Sequence, residues 1–138
     1  MKKNYIALLL ILLIGINSCD KCDMKSTDCS ECYTIKPDTG ELIIKLTIND
    51  ENPKVPIVIY KNNIEDNDIE FTDTARSEDY YIDVPINKYY SVTARYKVND
   101  KTIVAVDGDK IKTKKIYSCD ELCWIIKGGY INVKLKYN

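Results

Sequence analysis

The chain has 138 residues, of which 45% are hydrophobic and 30% are charged, values that are ordinary for a globular protein. Its 20 basic and 21 acidic residues give a net charge of -1, so no overall field favours binding to nucleic acid or to an anionic surface. Histidine is absent from the sequence, which excludes the commonest general base and every Ser-His or Cys-His nucleophile pair.

Residues 1–18 have the layout of a secretion signal. Lys2 and Lys3 provide a positive start, and the segment from Tyr5 to Ile16 is apolar apart from Gly15. A helix of about 12 apolar residues rises about 18 Å, well short of the ~30 Å hydrocarbon core of a bilayer. We therefore predict a signal that is cleaved rather than a transmembrane anchor.

The segment Ile16-Asn17-Ser18-Cys19 resembles the lipobox of bacterial lipoproteins, with an aliphatic, a variable and a small residue before a cysteine. The resemblance implies that signal peptidase II cuts between Ser18 and Cys19, that the Cys19 sulfur carries a diacylglyceryl group, and that the new amino group accepts a fatty acid such as palmitate. Two or three acyl chains anchor a protein stably in a membrane. The alternative is an ordinary secreted protein cut by signal peptidase I, in which Cys19 joins the other cysteines.

Asp20 bears on which membrane receives the protein. An aspartate directly after the lipidated cysteine resembles the inner-membrane retention signal of enteric bacteria, whereas acidic residues there accompany surface export in some other Gram-negative groups. The abundance of Lys, Ile, Asn and Tyr indicates an AT-rich genome outside the enteric group. We therefore favour the outer membrane or the cell surface over the inner membrane.

The mature chain divides into a tether and one domain. Residues 19–39 are polar and rich in cysteine, without a helical or a strand period, and predict a lipidated tether. Residues 40–138 are enough for one hydrophobic core and too few for two.

The domain shows the alternation of half-buried strands. In one predicted strand Tyr90, Val92, Ala94 and Tyr96 share the apolar face. Pro56 restricts the strand that holds it to a sheet edge or to a strand start. Asn99-Asp100 and Asp107-Gly108 both interrupt the strand pattern, and the second dipeptide predicts a tight hairpin turn. In chain order the predicted strands are 41–49, 55–60, 69–75, 80–85 and 89–98, followed by a meander and a last strand that contains Ile131, Val133, Leu135 and Tyr137.

This pattern predicts an all-β fold, an antiparallel β-sandwich of seven or eight strands of the immunoglobulin-like or transthyretin-like kind. The strand and turn pattern of Gly40-Glu-Leu-Ile-Ile-Lys-Leu, Val55-Pro-Ile-Val-Ile-Tyr, Tyr81-Ile-Asp-Val-Pro and Tyr89-Tyr-Ser-Val-Thr-Ala-Arg-Tyr resembles the carboxypeptidase-regulatory-like, or transthyretin-like, domains. The resemblance implies an accessory or adhesion-type module. The hydrolase branch of that group uses histidines and a distinctive tail, which this chain does not have, so we predict no catalytic residues.

Five cysteines remain once Cys19 is lipidated, and in an exported protein they predict disulfides. A bond from Cys119 or Cys123 to Cys29 or Cys32 would attach the tether to the domain. An odd number leaves one thiol unpaired, and 15 connectivities stay open. The five candidates are Cys22, Cys29, Cys32, Cys119 and Cys123.

The alternative is a metal-binding or thiol-redox site built from Cys29, Cys32, Cys119 and Cys123, whose spacings suit a tetrahedral thiolate centre. Acidic neighbours such as Glu31 disfavour thiolates there, so we predict no metal and no cofactor.

Two further clusters invite a functional interpretation. The four carboxylates between Glu65 and Glu70 lack the glycine of a calcium loop and predict a solvated turn. Tyr80, Tyr81 and Tyr89 are candidates for exposed rings that stack on a glycan. The sequence as a whole predicts a membrane-anchored, non-catalytic binding or assembly module, with a protein or glycan partner that it does not specify.

Overall fold

The computed structural model describes residues 31–118 and 120–136. Within them a 3-10 turn, Ile64–Asp66, precedes the strand Ile69–Ala75, and no helix is long and apolar enough to cross a membrane. The predicted cleavage site at Ser18 and Cys19 lies outside these residues, as do Cys22, Cys29 and Cys119. The described strands are β1 (Thr39–Lys45), β2 (Val55–Lys61), β3 (Ile69–Ala75), β4 (Asp79–Pro85), β5 (Lys88–Val98), β6 (Lys101–Ser118), β7 (Glu121–Lys127) and β8 (Tyr130–Asn132).

The eight described strands form a small sheet of order β4-β1-β8 and a large sheet of order β3-β2-β5-β6-β7. This confirms the predicted all-β sandwich and the predicted number of strands. The prediction that every pair is antiparallel needs one correction, because β8 runs parallel to β1. Gly128 and Gly129, at φ values of 77° and 82°, carry the chain from β7 in the large sheet to β8 in the small one. These backbone angles are costly for residues with a side chain.

A single core lies between the sheets and follows the alternation of the sequence. Tyr90 and Tyr96, the largest buried side chains, have no exposed surface, as their apolar strand face predicts. Apolar burial of this kind is the main stabilising contribution to a small sandwich. The other core residues are Leu42, Ile44, Leu46, Val55, Ile57, Ile59, Ala75, Val84, Ile86, Val92, Ala94, Ile111, Ile131 and Val133.

The buried Tyr90 and Tyr96 also connect β5 to other parts of the chain through their hydroxyl groups. The Tyr90 hydroxyl donates to the Pro85 carbonyl over 2.9 Å, across the corner where the chain passes from β4 in one sheet to β5 in the other. This is the geometry of a tyrosine corner. The Tyr96 hydroxyl donates to the Val133 carbonyl over 2.8 Å and accepts from the backbone N–H of Thr47 over 3.2 Å. Each hydroxyl is therefore paired although its ring is buried.

The predicted hairpin turn at Asp107-Gly108 is wrong, since β6 runs through both residues without a break. The tight turn lies instead at Asn99 and Asp100, whose φ values are 47° and 62°. Gly108 meets a different requirement, because the Tyr89 ring lies over it. A Cβ at that position would lie only 2.5 Å from the Tyr89 hydroxyl oxygen.

The constraint predicted for Pro56 is met at the strand start rather than at an edge. Strand β2 lies between β3 and β5, and Pro56 is its second residue. Pairing with β5 begins one residue later, at Ile57, so the missing N–H of proline interrupts neither ladder.

Candidate functional site

The end of the predicted tether is covalently attached to the large sheet. Cys32 forms a disulfide with Cys123 of β7, with the two Cα atoms 5.5 Å apart and a sequence separation of 91. This is one of the connectivities that the sequence left open. A sulfur in a disulfide is not a thiolate ligand, so the pairing favours the structural interpretation of these two cysteines.

A short backbone ladder strengthens the attachment. The N–H of Tyr33 donates to the Trp124 carbonyl and the N–H of Trp124 donates to the Tyr33 carbonyl, each over 2.8 Å. Tyr33 therefore lies beside the outer edge of β7, which is an edge strand of the large sheet. The chain enters the domain along one defined strand edge.

The β6–β7 hairpin next to this attachment has an aromatic and basic face. Lys115 lies opposite Trp124 across the ladder, and Tyr117 lies opposite Leu122 two pairs nearer the turn, on the same face. The ammonium groups of Lys36 and Lys115 lie 5.3 Å and 5.7 Å from the centre of the Trp124 ring, within the range of cation–π attraction. Tyr117 is 72% exposed and Leu122 is 60% exposed. We call Tyr33, Lys36, Lys115, Tyr117, Leu122 and Trp124 the hairpin face.

A cleft of about 560 Å³ lies between the entering segment and the end of the small sheet. Its wall includes the carboxylates of Glu31, Glu41 and Asp83, together with Tyr33 and Ile43. Nowhere in residues 31–118 and 120–136 do three His, Cys, Asp or Glu side chains converge as a metal site would require. The cleft offers an acidic concave surface without an arranged nucleophile and base.

A second cleft of about 300 Å³ lies between β6 and the segment that follows β8. Ile103, Ala105, Val106 and Leu135 make much of its wall apolar. It is half the size of the first cleft and holds no acidic side chain, so it offers apolar contact and no proton-transfer chemistry.

Two pairs of groups have shifted pKa values, and neither pair lines a cleft. The Tyr80 hydroxyl donates to Asp73 over 2.7 Å. Burial, followed by this hydrogen bond, raises the pKa of Tyr80 to about 12. The bond from Tyr80, followed by the N–H of Thr74, lowers the pKa of Asp73. In the second pair, a 2.6 Å hydrogen bond between Lys45 and Asp79 raises the pKa of the lysine and lowers that of the aspartate.

The carboxylate cluster between Glu65 and Glu70 spans the turn before β3 and the start of that strand. Its side chains serve local contacts, since Asp66 accepts the backbone N–H of Asn63 over 3.3 Å and Glu70 pairs with Lys61 over 2.6 Å. The carboxylates are thus directed to the turn and the strand edge rather than to a common centre.

The candidate tyrosines do not lie on one surface. Tyr80 is half-buried, and Tyr89, 37% exposed, covers Gly108 on the large sheet. Tyr81 lies instead on the outer face of the small sheet, in a row with Ile43 and Tyr130. Tyr81 and Tyr130 are each 53% exposed. We call Tyr81, Ile43 and Tyr130 the tyrosine row. The sequence did not identify Tyr130, because nothing in the local sequence indicates that the last strand pairs with β1.

No protein-family model, curated protein or solved structure matches the chain.

Proposed function

We propose that the protein is a lipid-anchored protein of the cell envelope that displays its β-sandwich as a non-catalytic binding or assembly module, at the outer membrane or the cell surface. The signal-like residues 1–18 and the lipobox that ends at Cys19 support the anchor. The observation that carries the proposal is the attachment of Cys32 and Tyr33 to β7, 13 residues after Cys19. Because this attachment follows Cys19 so closely, the domain stays near its lipid, and β7 is the strand at which the tether joins it.

The tyrosine row supports a role in binding. Tyr81 and Tyr130 flank Ile43 on neighbouring strands of the small sheet, and Ile43 also lines the acidic cleft. Exposed aromatic rings supply large contact areas at a low entropic cost and stack on sugars or on apolar protein surfaces. The resemblance to carboxypeptidase-regulatory-like domains, in which accessory and adhesion roles are common, points the same way.

Labelling with a fatty-acid probe in growing cells tests the anchor. We expect the probe to label the wild-type chain and the Cys19→Ala variant to lose the label and to keep its uncleaved signal. The Cys22→Ala variant is the matched control, because it removes a nearby thiol and leaves the lipobox intact. Equal labelling of Cys19→Ala and wild type would refute lipidation at Cys19.

Photocrosslinking on intact cells tests the binding role. A photoreactive amino acid at position 81 or 130 should capture the same partner, because both positions belong to the tyrosine row. The same group at Tyr89, which is exposed on the outer face of the other sheet, serves as the control. Capture that is equal at all three positions, or absent from 81 and 130, would contradict a binding role for the row.

Thiol titration under denaturing, non-reducing conditions separates this proposal from a metal-binding or redox role of Cys29, Cys32, Cys119 and Cys123. One free thiol in the lipidated protein agrees with two disulfides and a structural role. Five free thiols, or four that metal removal unmasks, would contradict it.

A further inference from the structure

We propose that the hairpin face rests on the headgroups of the membrane that holds the lipid anchor. This inference depends on the proposed anchoring at Cys19 and adds a second, non-covalent contact. The residues that make this contact are Tyr117, Leu122 and Trp124, with Lys36 and Lys115 beside them.

The composition of the hairpin face suits the boundary between lipid and water. Tyrosine and tryptophan are enriched at that boundary because each combines an apolar body with a polar edge. Lysine places its ammonium group among phosphates while its methylene chain covers apolar surface. Here both lysines lie within 6 Å of the Trp124 ring centre. Aromatic, aliphatic and cationic groups thus meet on one side of the hairpin.

The exposure of Tyr117 and Leu122, the pair of the hairpin face that lies nearest the turn, needs an explanation that folding does not supply. Tyr117 and Leu122 lie opposite each other at 72% and 60% exposure, although either side chain could be polar without loss to the core. The Tyr117 hydroxyl donates over 3.2 Å to the carbonyl of Asp120 in the turn, which orients the ring beside Leu122. The pair is therefore a small apolar tip held in a defined geometry.

The tether brings this tip to the membrane. Cys32 follows Cys19 by 13 residues, a length of chain that spans at most about 45 Å when fully extended. The Cys32–Cys123 bond places the end of the tether on β7, within the same hairpin. Within the described residues, the tether is therefore attached at the hairpin. This attachment keeps the hairpin face near the membrane, at a high effective concentration of lipid.

The charges predict what drives the contact. Lys36 and Lys115 attract anionic headgroups, but Asp120 and Glu121 at the turn oppose them. Salt screens such surface charges over about a Debye length. We therefore expect the contact to depend strongly on Leu122 and Tyr117 and weakly on ionic strength.

The only tryptophan of the sequence, Trp124, reports on this contact directly. The full-length, lipidated protein is reconstituted into vesicles of phosphatidylethanolamine and phosphatidylglycerol that contain brominated acyl chains, which quench a nearby indole. We expect a blue-shifted emission of which about half is quenched. The Leu122→Asp variant should lose most of the quenching and still cofloat with the vesicles through its lipid. The Val104→Asp variant is the control, because it places the same charge at a 50% exposed residue of β6 outside the hairpin face, and it should retain the quenching.

The outcomes separate the two proposals. Wild-type protein that cofloats with the vesicles while Trp124 stays unquenched would refute the docking and leave the anchor standing. Quenching that Leu122→Asp does not reduce would also refute it, because the hairpin face would then not be the contact. Protein recovered free of vesicles would contradict the lipid anchor, and the docking with it. Retention of the Cys32–Cys123 bond in Leu122→Asp, checked by mass after alkylation, shows that the variant is folded.

Discussion

The carboxylate of Asp107 accepts the backbone N–H of Asn132 over 2.7 Å. Its neighbour Asp109 accepts the N–H of Tyr130 over 3.1 Å. Both N–H groups lie on the side of β8 that faces away from β1, since Val133 donates to β1 from the other side. An unpaired strand edge is a template for pairing with another chain, and side chains that occupy it prevent this. Two aspartates of β6 thus close an edge of the small sheet.

Replacement of Asp107 should lower the stability of the fold and expose the edge of β8. We expect Asp107→Ala to lower the free energy of unfolding by about 1 kcal/mol, because one hydrogen bond to a charged group is lost at a partly wet site. Urea denaturation with an unchanged m-value measures this. Asp83→Ala, at an exposed aspartate of β4, is the control. A double Asp107→Ala and Asp109→Ala variant should also self-associate in light scattering; if it stays monomeric, the edge is not what the aspartates protect.

The hydroxyl of Tyr96 should contribute more to the free energy of unfolding than the hydroxyl of an exposed tyrosine does. Tyr96→Phe leaves the Val133 carbonyl and the Thr47 N–H without their partner, at a cost of about 1–3 kcal/mol for buried groups. Tyr89→Phe, at an exposed ring, should change stability by less than about 0.5 kcal/mol. Thermal and urea unfolding of the two variants side by side provide the measurement. Equal effects would mean that the buried hydroxyl is not coupled to the sheet-to-sheet contact.

The Cys32–Cys123 bond should stabilise the domain and protect the entering segment. Its removal is expected to cost about 2–4 kcal/mol, since the closed loop is long. Cys32→Ala, Cys123→Ala and the double variant should lose equal stability, because either change breaks the same bond. In these variants chymotrypsin should cleave after Tyr33. In the wild type, the ladder between Tyr33 and Trp124 protects this site. Additive losses in the double variant would show that the two sulfurs are not paired.

The hydrogen bond between Tyr80 and Asp73 makes stability depend on pH at both extremes. The lowered pKa of Asp73 contributes stability above the ordinary value of 3.8, and this contribution is lost as the pH falls through the lowered value. The raised pKa of Tyr80 contributes stability below pH 10.0 that is lost as the pH rises towards about 12.

Two variants test this dependence. The stability difference between wild type and Tyr80→Phe should shrink as the pH falls from 3.8 through the lowered pKa of Asp73, at which the folded protein binds the proton. Tyr130→Phe, at an exposed ring, should show a difference that does not change with pH. In Asp73→Asn, the phenolate absorbance should place the pKa of Tyr80 closer to 10.0, because the carboxylate that accepts its hydrogen bond and the charge of that carboxylate are removed and only burial remains. A constant difference between wild type and Tyr80→Phe from neutral to acid pH would contradict the bond.

The sequence by itself determined the features that depend on neighbouring residues. The alternation that contains Tyr90 and Tyr96 identified a strand and its buried face, because side-chain direction in a strand has a period of two. The bounds of β3 match the predicted 69–75. The site could be predicted only in part, since Cys32 and Cys123 were candidates among five cysteines and Tyr81 was one of three candidate rings.

The tertiary structure decided which distant residues meet. The pairing of Cys32 with Cys123, the parallel β8 that places Tyr130 beside Ile43, and the assembly of the hairpin face join segments far apart in the chain. Asp107-Gly108 shows the reason most directly. The dipeptide favours a turn locally, but the hydrogen bond from Asn132 and the cover of the Tyr89 ring keep it extended. A local preference for a turn, of about 1 kcal/mol, is outweighed when contacts from two other strands stabilise the extended conformation of the same residues.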